Sequence, residues 1–256
     1  MEVHAHSHTA RKKWTHYFWE FLMLFLAVFC GFLAENIREH SVEQLRAKEF
    51  SKSLVNDLQN DTTAINTQIK SAGIYIALTD SLLKLSKTRL EGRTTAEFSF
   101  YTRFMYWTAP ISWNRTTFEQ IKNSGSLRYF KNYQLLEKLM KYDAIVNEIE
   151  AESENHQVRG NMLLTLINEI MEPGLHHDLS KYFLISLDTM SKKTIENYFS
   201  VKTGSLENKR KEISEMLNMI VVQQRNLRFG NDGRLQQAKE LAKELISDLK
   251  KEYHLK

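Results

Sequence analysis

The feature that most constrains this chain is an apolar run from Tyr17 to Ala34, Y-F-W-E-F-L-M-L-F-L-A-V-F-C-G-F-L-A, in which Glu20 is the one charged residue. As a helix rising ~1.5 Å per residue, the run covers roughly 27 Å, close to the ~30 Å hydrocarbon core of a bilayer. Its flanks fit a membrane. Trp14, Tyr17 and Trp19 sit where amphipathic rings favour the headgroup layer, and Arg11, Lys12 and Lys13 lie just outside. A cleavable signal peptide needs small residues before its cut site, and a cut after Ala34 would put Phe32 at the third position back. A lipoprotein signal around Cys30 meets bulky Phe29 where a small residue is required. A buried core helix is the remaining rival, because only Phe21 to Ala34 is strictly apolar. The reading is an uncleaved transmembrane helix over 17–34, behind a short basic tail over 1–16.

Sidedness follows from local charge density. Three basic residues crowd the segment before Tyr17, whereas Arg38, Arg46, Lys48 and Lys52 are spread among Glu35, Glu39 and Glu43. Acidic residues count little in the positive-inside rule, so the denser N-terminal cluster decides. The expected placement is the bacterial inner membrane, with the N-terminus cytoplasmic and the C-terminal region periplasmic.

Beyond the span the chain reads as all-α. Nine glycines and two prolines in 256 residues leave few helix breakers. Val42, Leu45, Phe50, Leu54, Leu58, Ile65 and Ile69 recur mostly three or four apart, the stripe of an amphipathic helix. The expected organisation is a long membrane-proximal helix over 35–90, which Gly73 can bend, then a helical bundle over 91–256. E-G-R-T-T at 91–95 reads as a turn, and Thr116 with Glu119 as a capping box for a helix to about Lys122. A long helix starts after Asn132 and continues to Met171, where Pro173-Gly174 ends it. A short helix is expected at about Lys192–Phe199. Leu206, Ile213, Leu217, Ile220 and Leu227 fall at coiled-coil spacing, with Arg210 and Gln224 filling two of the same positions, and Leu235, Ala238, Ala242, Leu245 and Leu249 form a second such stripe. Gly230 and Asp232 between them suit either an αα-hairpin or a kinked continuation.

Charge excludes some partners. The chain has 35 basic and 31 acidic residues; without residues 1–34, which hold three and two, 32 and 29 remain. That is too even for a nucleic-acid footprint. The single cysteine, Cys30, lies inside the span, so no intramolecular disulfide forms.

Chemistry is sparse. No P-loop, G-x-G-x-x-G, G-x-S-x-G or H-E-x-x-H appears, so no enzyme activity, cofactor or metal site is expected. His4, His6 and His8 have a spacing that binds Zn²⁺ or Ni²⁺, but no further ligand closes a site. His176, His177 and Asp178 are adjacent and point apart on a helix, so they read as a polar loop. The aromatic window 98–118 offers a candidate pocket of Phe104, Tyr106, Trp107, Trp113 and Phe118. The competing account makes it the hydrophobic closure of one end of a bundle. In the span, Glu20, Ala27, Gly31 and Ala34 fall within about 40° of one line at ~100° per residue. Ala27-x-x-x-Gly31 is a pair that lets helices approach closely, so this face is a candidate homo-oligomer seam. Alternatively, Glu20 reaches only the headgroup region.

Two stretches carry a resemblance. Glu20, the run F-L-M-L-F-L-A-V-F-C-G-F-L-A and Glu35-Asn36 form one; T-F-E-Q-I-K-N-S-G-S-L-R-Y-F-K-N-Y-Q-L-L forms the other. Over roughly residues 11–60 and 114–150 the chain resembles an uncharacterised family of bacterial single-pass membrane proteins, a domain-of-unknown-function family. The resemblance implies an inner-membrane anchor and a helical extracytoplasmic region, with no activity or site residues attached. The functional expectation is a membrane-anchored helical scaffold or adaptor that self-associates, contacts the lipid bilayer and binds an unknown protein partner. The alternative is a ligand-sensing or accessory subunit with an aromatic pocket around residues 98–118.

Overall fold

The computed structural model describes residues 13–107 and 110–255, so His4, His6, His8, Arg11 and Lys12 lie outside the described residues. It is all-α, and no strand occurs among the described residues. The chain divides into two units, one ending at Phe50 and the other Ser51–Lys256.

The first unit consists of the N-terminal part of helix α1, Trp14–Leu85. This helix is long and apolar enough to cross a membrane, and none of its most apolar stretch is buried against the rest of the chain. Side chains such as Phe21, Leu24 and Val28 stay more than 60% exposed, a state that only a non-aqueous surrounding makes favourable.

The second unit is built on three long helices. They are α1 from Ser51 onward, α4 (Tyr133–Ile170), and a segment in which α7 (Arg210–Gly230) continues into α8 (Gln236–Glu252). Polar contacts fix their directions. Asp61 of α1 accepts from the Tyr142 hydroxyl of α4 at 2.8 Å. Gln224 of α7 donates to the Ile76 carbonyl at 3.1 Å and to Asp80 at 2.7 Å. Arg210 donates to the carbonyls of Ser86 and Thr88, both at 2.6 Å. Lys138 of α4 pairs with Asp248 of α8 at 2.8 Å. Thus α1 and α4 run parallel, and α7–α8 runs antiparallel to both.

Shorter helices add buried residues to this frame. They are α2 (Arg93–Thr102), α3 (Thr116–Asn123), α5 (Pro173–Leu179) and α6 (Lys192–Phe199). One apolar cluster joins Tyr75, Leu82, Phe98, Phe100, Leu163, Ile167, Met216 and Ile220. Buried residues outside it, among them Leu54, Leu58, Leu139, Val146, Leu245 and Leu249, lie along the same three helices at the other end.

Several element boundaries differ from the sequence expectation. Helix α1 runs through Gly73 without interruption but ends at Leu85 rather than near Leu90, where Arg210 takes up the carbonyls of Ser86 and Thr88. The expected turn at 91–95 is shorter, because α2 already begins at Arg93 after Gly92 at φ 54°. The capping box at Thr116 does not form. Arg115 occupies the cap position, and its guanidinium binds Asp143, Glu150 and Glu119 instead. Helix α4 begins after Asn132 as expected, and the Asn132 side chain caps it, accepting from the Leu135 N–H at 3.2 Å. Pro173 opens α5, at a first-turn position where its missing N–H costs nothing, and His176, His177 and Asp178 are helical rather than loop. Between α7 and α8 there is no hairpin. Gly230 has right-handed helical angles, and a π-helical turn at Asn231–Leu235 carries the helix onward.

Truncating Ile167, which is fully buried in the larger cluster, leaves a cavity in a three-helix junction. Ile167→Ala is expected to cost about 2–5 kcal/mol. It should lower the thermal unfolding midpoint of the detergent-solubilised chain by about 10 °C. Val158→Ala, at a site 57% exposed, should shift it by no more than about 2 °C.

Candidate functional site

On each of the three long helices, polar residues interrupt the apolar stripe between the two groups of buried residues. On α1 the interruption is Gln68, beside Ala72; on α4 it runs from Glu150 to Arg159; on α7 it includes Gln223 and Asn226. Because α1 and α4 are parallel and α7–α8 antiparallel, these interruptions fall at one level. Side chains there cannot interdigitate as apolar ones do, and a cavity of about 330 Å³ remains. Pro110, Ile111 and Trp113 from the connection before α3 form another wall. The π-helical turn supplies Arg234 and Leu235. A π turn inserts one residue into a helical repeat, and such turns recur at functional sites.

A hydrogen-bonded chain supports the polar wall. Gln223 is 1% exposed, and its Oε1 accepts from the Arg159 Nε at 2.8 Å. Arg159 also pairs with Glu152 at 2.7 Å. Arg115 binds Glu150 at 2.8 Å, and Arg234 binds Glu148 at 2.9 Å. His156 is buried against the Trp107 ring, edge to face at 5.6 Å, and its Nε2 has no hydrogen-bond partner. Burial, with the nearby positive charge of Arg159, pushes the His156 imidazole down to about 4 despite the opposing charge of Glu152. It is therefore neutral at pH 7, holding one donor and one acceptor.

A second, much smaller space of about 30 Å³ lies beside Asp61, between Leu58, Phe118 and Tyr142. Asp61 is 2% exposed and fully engaged. It accepts from the Asn114 backbone N–H at 2.8 Å, from the Asn114 amide at 3.1 Å and from Tyr142. Burial and the Asp61 charge hold the Tyr142 hydroxyl well above its usual range, so it stays a donor. This network fixes the connection that carries Ile111 and Trp113.

The five aromatic residues expected to form a pocket do not line one cavity together. Trp113 faces the large cavity and Phe118 the small one. Phe104 belongs to the apolar cluster, where Phe100 holds it edge to face at 5.6 Å. Tyr106 stacks on His176 at 6.3 Å and lies under the Arg103 guanidinium at 4.9 Å. Trp107 packs behind His156. Most of the window therefore seals the core around Phe100, whose ring also meets Phe199 at 5.5 Å. His156, Arg159 and Gln223 were not foreseen as site residues. His156 and Arg159 have one signal in the sequence, the polar run E-A-E-S-E-N-H-Q-V-R at 150–159 inside an otherwise amphipathic helix; Gln223 has none.

In the first unit, Ala27, Gly31 and Ala34 are exposed, and a Cβ at Gly31 would meet nothing within 4 Å. Glu20 Oε1 lies 3.3 Å from His16 Nε2, one turn back. Phe21, Phe25 and Phe29 stack in a ladder at 6.3 and 5.9 Å. No cluster of three His, Cys, Asp or Glu side chains able to hold a metal occurs among the described residues.

The depressed His156 pKa sets the sign of a pH effect. Below about pH 6.5 the unfolded chain takes up a proton at this imidazole that the folded chain refuses until about pH 4. Its contribution to stability is thus complete above pH 6.5 and lost as pH falls towards 4, reaching about 3 kcal/mol. The difference in unfolding free energy between the parent chain and His156→Leu, measured from pH 7 to 4.5, should follow that curve. A difference independent of pH would show that His156 is not buried neutral. No family model, curated protein or solved structure matches this chain.

Proposed function

We propose that this chain is a membrane-anchored helical scaffold or adaptor that self-associates through its N-terminal helix and binds protein partners through its folded unit, without catalysis of its own. One observation carries the reading: the most apolar stretch of α1 has no side chain buried within the chain, so its covering must come from lipid and from other molecules. Its two faces differ in kind. The Phe21, Phe25 and Phe29 ladder lies about 100–180° around the helix from Glu20, whereas Ala27, Gly31 and Ala34 lie within about 40° of it. Glycine in a helix interior costs about 1 kcal/mol relative to alanine, and nothing within the chain requires one at position 31. Close approach of a second helix gives that glycine a purpose. Glu20 then lies at the headgroup end of the seam, beside His16.

The bacterial inner membrane, with a cytoplasmic N-terminus, is the compartment that the basic residues before Tyr17 support. The resemblance to the uncharacterised single-pass family points the same way. Its K-N-S-G motif closes α3, with Gly125 at φ 70° where a side chain would be strained, so the motif serves the turn rather than chemistry. The coiled-coil spacing of α7 and α8 is used at least partly within the chain, since Ile213, Leu217 and Leu245 are buried there.

The large cavity favours a second reading, an accessory subunit that senses a small ligand. Its volume lies within the range of small-molecule sites, and its wall holds a buried histidine with an unpaired nitrogen. It lies between the long helices and takes Pro110, Ile111 and Trp113 of the aromatic window as one wall.

Cross-linking in native membranes tests the scaffold reading. Gly31→Leu is expected to lower the yield of cross-linked oligomer several-fold, and Glu20→Gln to change it less. Unchanged oligomers in both variants would sink the seam. Sidedness is read from Ser205→Cys in a Cys30→Ser background, where a membrane-impermeant maleimide should label intact spheroplasts. Labelling only after lysis would invert the topology.

A further inference from the structure

We propose that the cavity between α1, α4 and α7 binds a small organic ammonium ion, its apolar body against Ile111 and Trp113 and its charge at Glu154. This rests on the second, ligand-binding reading above and adds the chemistry of the ligand.

The charges of the wall select the sign. Both guanidinium groups that line the cavity are already engaged, Arg159 by Glu152 and Gln223 and Arg234 by Glu148. Among the lining carboxylates, Glu150 is held by Arg115 and Glu152 by Arg159. Glu154 has no hydrogen-bond or ion-pair partner among the described residues. An anion would have to break an existing pair and would face three carboxylates. A cation meets one carboxylate that lacks a counter-charge, so Coulomb attraction favours it.

Helical spacing concentrates this preference. Glu150, Ser153, Glu154 and Gln157 fall at i, i+3, i+4 and i+7 of α4, one face of one helix, and all four line the cavity. Across from them the wall changes character. Ile111, Trp113, Leu227 and Leu235 supply apolar surface, and an indole face is the best aromatic partner for a cation. Gln223 spends its carbonyl oxygen on Arg159. The unpaired Nε2 of His156 leaves the wall hydrogen-bonding capacity that the protein does not use. A volume of about 330 Å³ suits a molecule with a single ring and a short amine arm.

Isothermal titration of the full-length chain in detergent tests this, with phenethylammonium as probe and 2-phenylethanol and phenylacetate as neutral and anionic shape-matched controls. Phenethylammonium is expected to bind with a Kd of ~1 mM or tighter, and at least ~10-fold more tightly than either control. Glu154→Gln, an exposed site whose exchange leaves the fold intact, should erase that preference. Ile111→Trp fills the cavity and should abolish binding; Leu227→Phe does so from α7 if Ile111→Trp does not fold. Phenethylammonium binding that survives the filling variant overturns the site. Tighter binding of a control that the filling variant abolishes overturns the ammonium assignment and leaves the cavity reading standing. Failure of all three probes to bind at ~10 mM overturns both.

Discussion

The apolar stripes of three long helices can leave water only by packing on one another, and the folded unit depends on that mutual burial. None of the three has an apolar face that short elements alone could cover. Leu54, Leu58 and Ile65 on α1, Leu139 and Val146 on α4, and Ala242, Leu245 and Leu249 on α8 are each less than 5% exposed. At roughly 25 cal/mol per Å², each such Leu, Ile or Val side chain contributes about 1.5–3 kcal/mol relative to exposure, and Ala242 less. Surface ion pairs such as Lys138–Asp248 add little to that sum. They do distinguish the antiparallel placement of α8 from its reverse.

Where the stripes are interrupted, the same geometry produces the cavity. A buried polar group is stable only when it is hydrogen-bonded, and the wall meets this for Gln223 through Arg159 but not for the His156 Nε2. Holding an unpartnered imidazole costs stability, and a packed apolar residue would remove the cost. A ligand that bonded the Nε2 would offset that cost, which is the physical support for the ligand-binding reading proposed for the cavity. The π turn at Asn231–Leu235 belongs to the same account, since it interrupts a regular helix at the level where the cavity opens.

The N-terminal unit follows a different logic. None of its most apolar stretch is buried against the rest of the chain, and the ring and polar contacts seen there, the phenylalanine ladder and the His16–Glu20 pair, lie within one helix. Its character is therefore written almost entirely in composition. The folded unit is the opposite case, because Gln224 looks like a flaw at a seam position until the Ile76 carbonyl and Asp80 appear beside it.

The sequence by itself determined the all-α class, the long apolar N-terminal helix, the start of α4 after Asn132, the run of α6 and the amphipathic stripes. Each of these depends on residues within a few turns of one another, through periodicity, capping and hydrophobic length. Only the tertiary structure decided that α7 and α8 form one line, that Arg115 rather than Thr116 occupies the cap position of α3, and that most of the aromatic window is core. It alone brought Gln68, His156 and Gln223, which lie 67 to 155 positions apart along the chain, to one level. A helix pattern records which face is apolar, but not which helix will cover it or in which direction. The cavity exists only once those two choices are made.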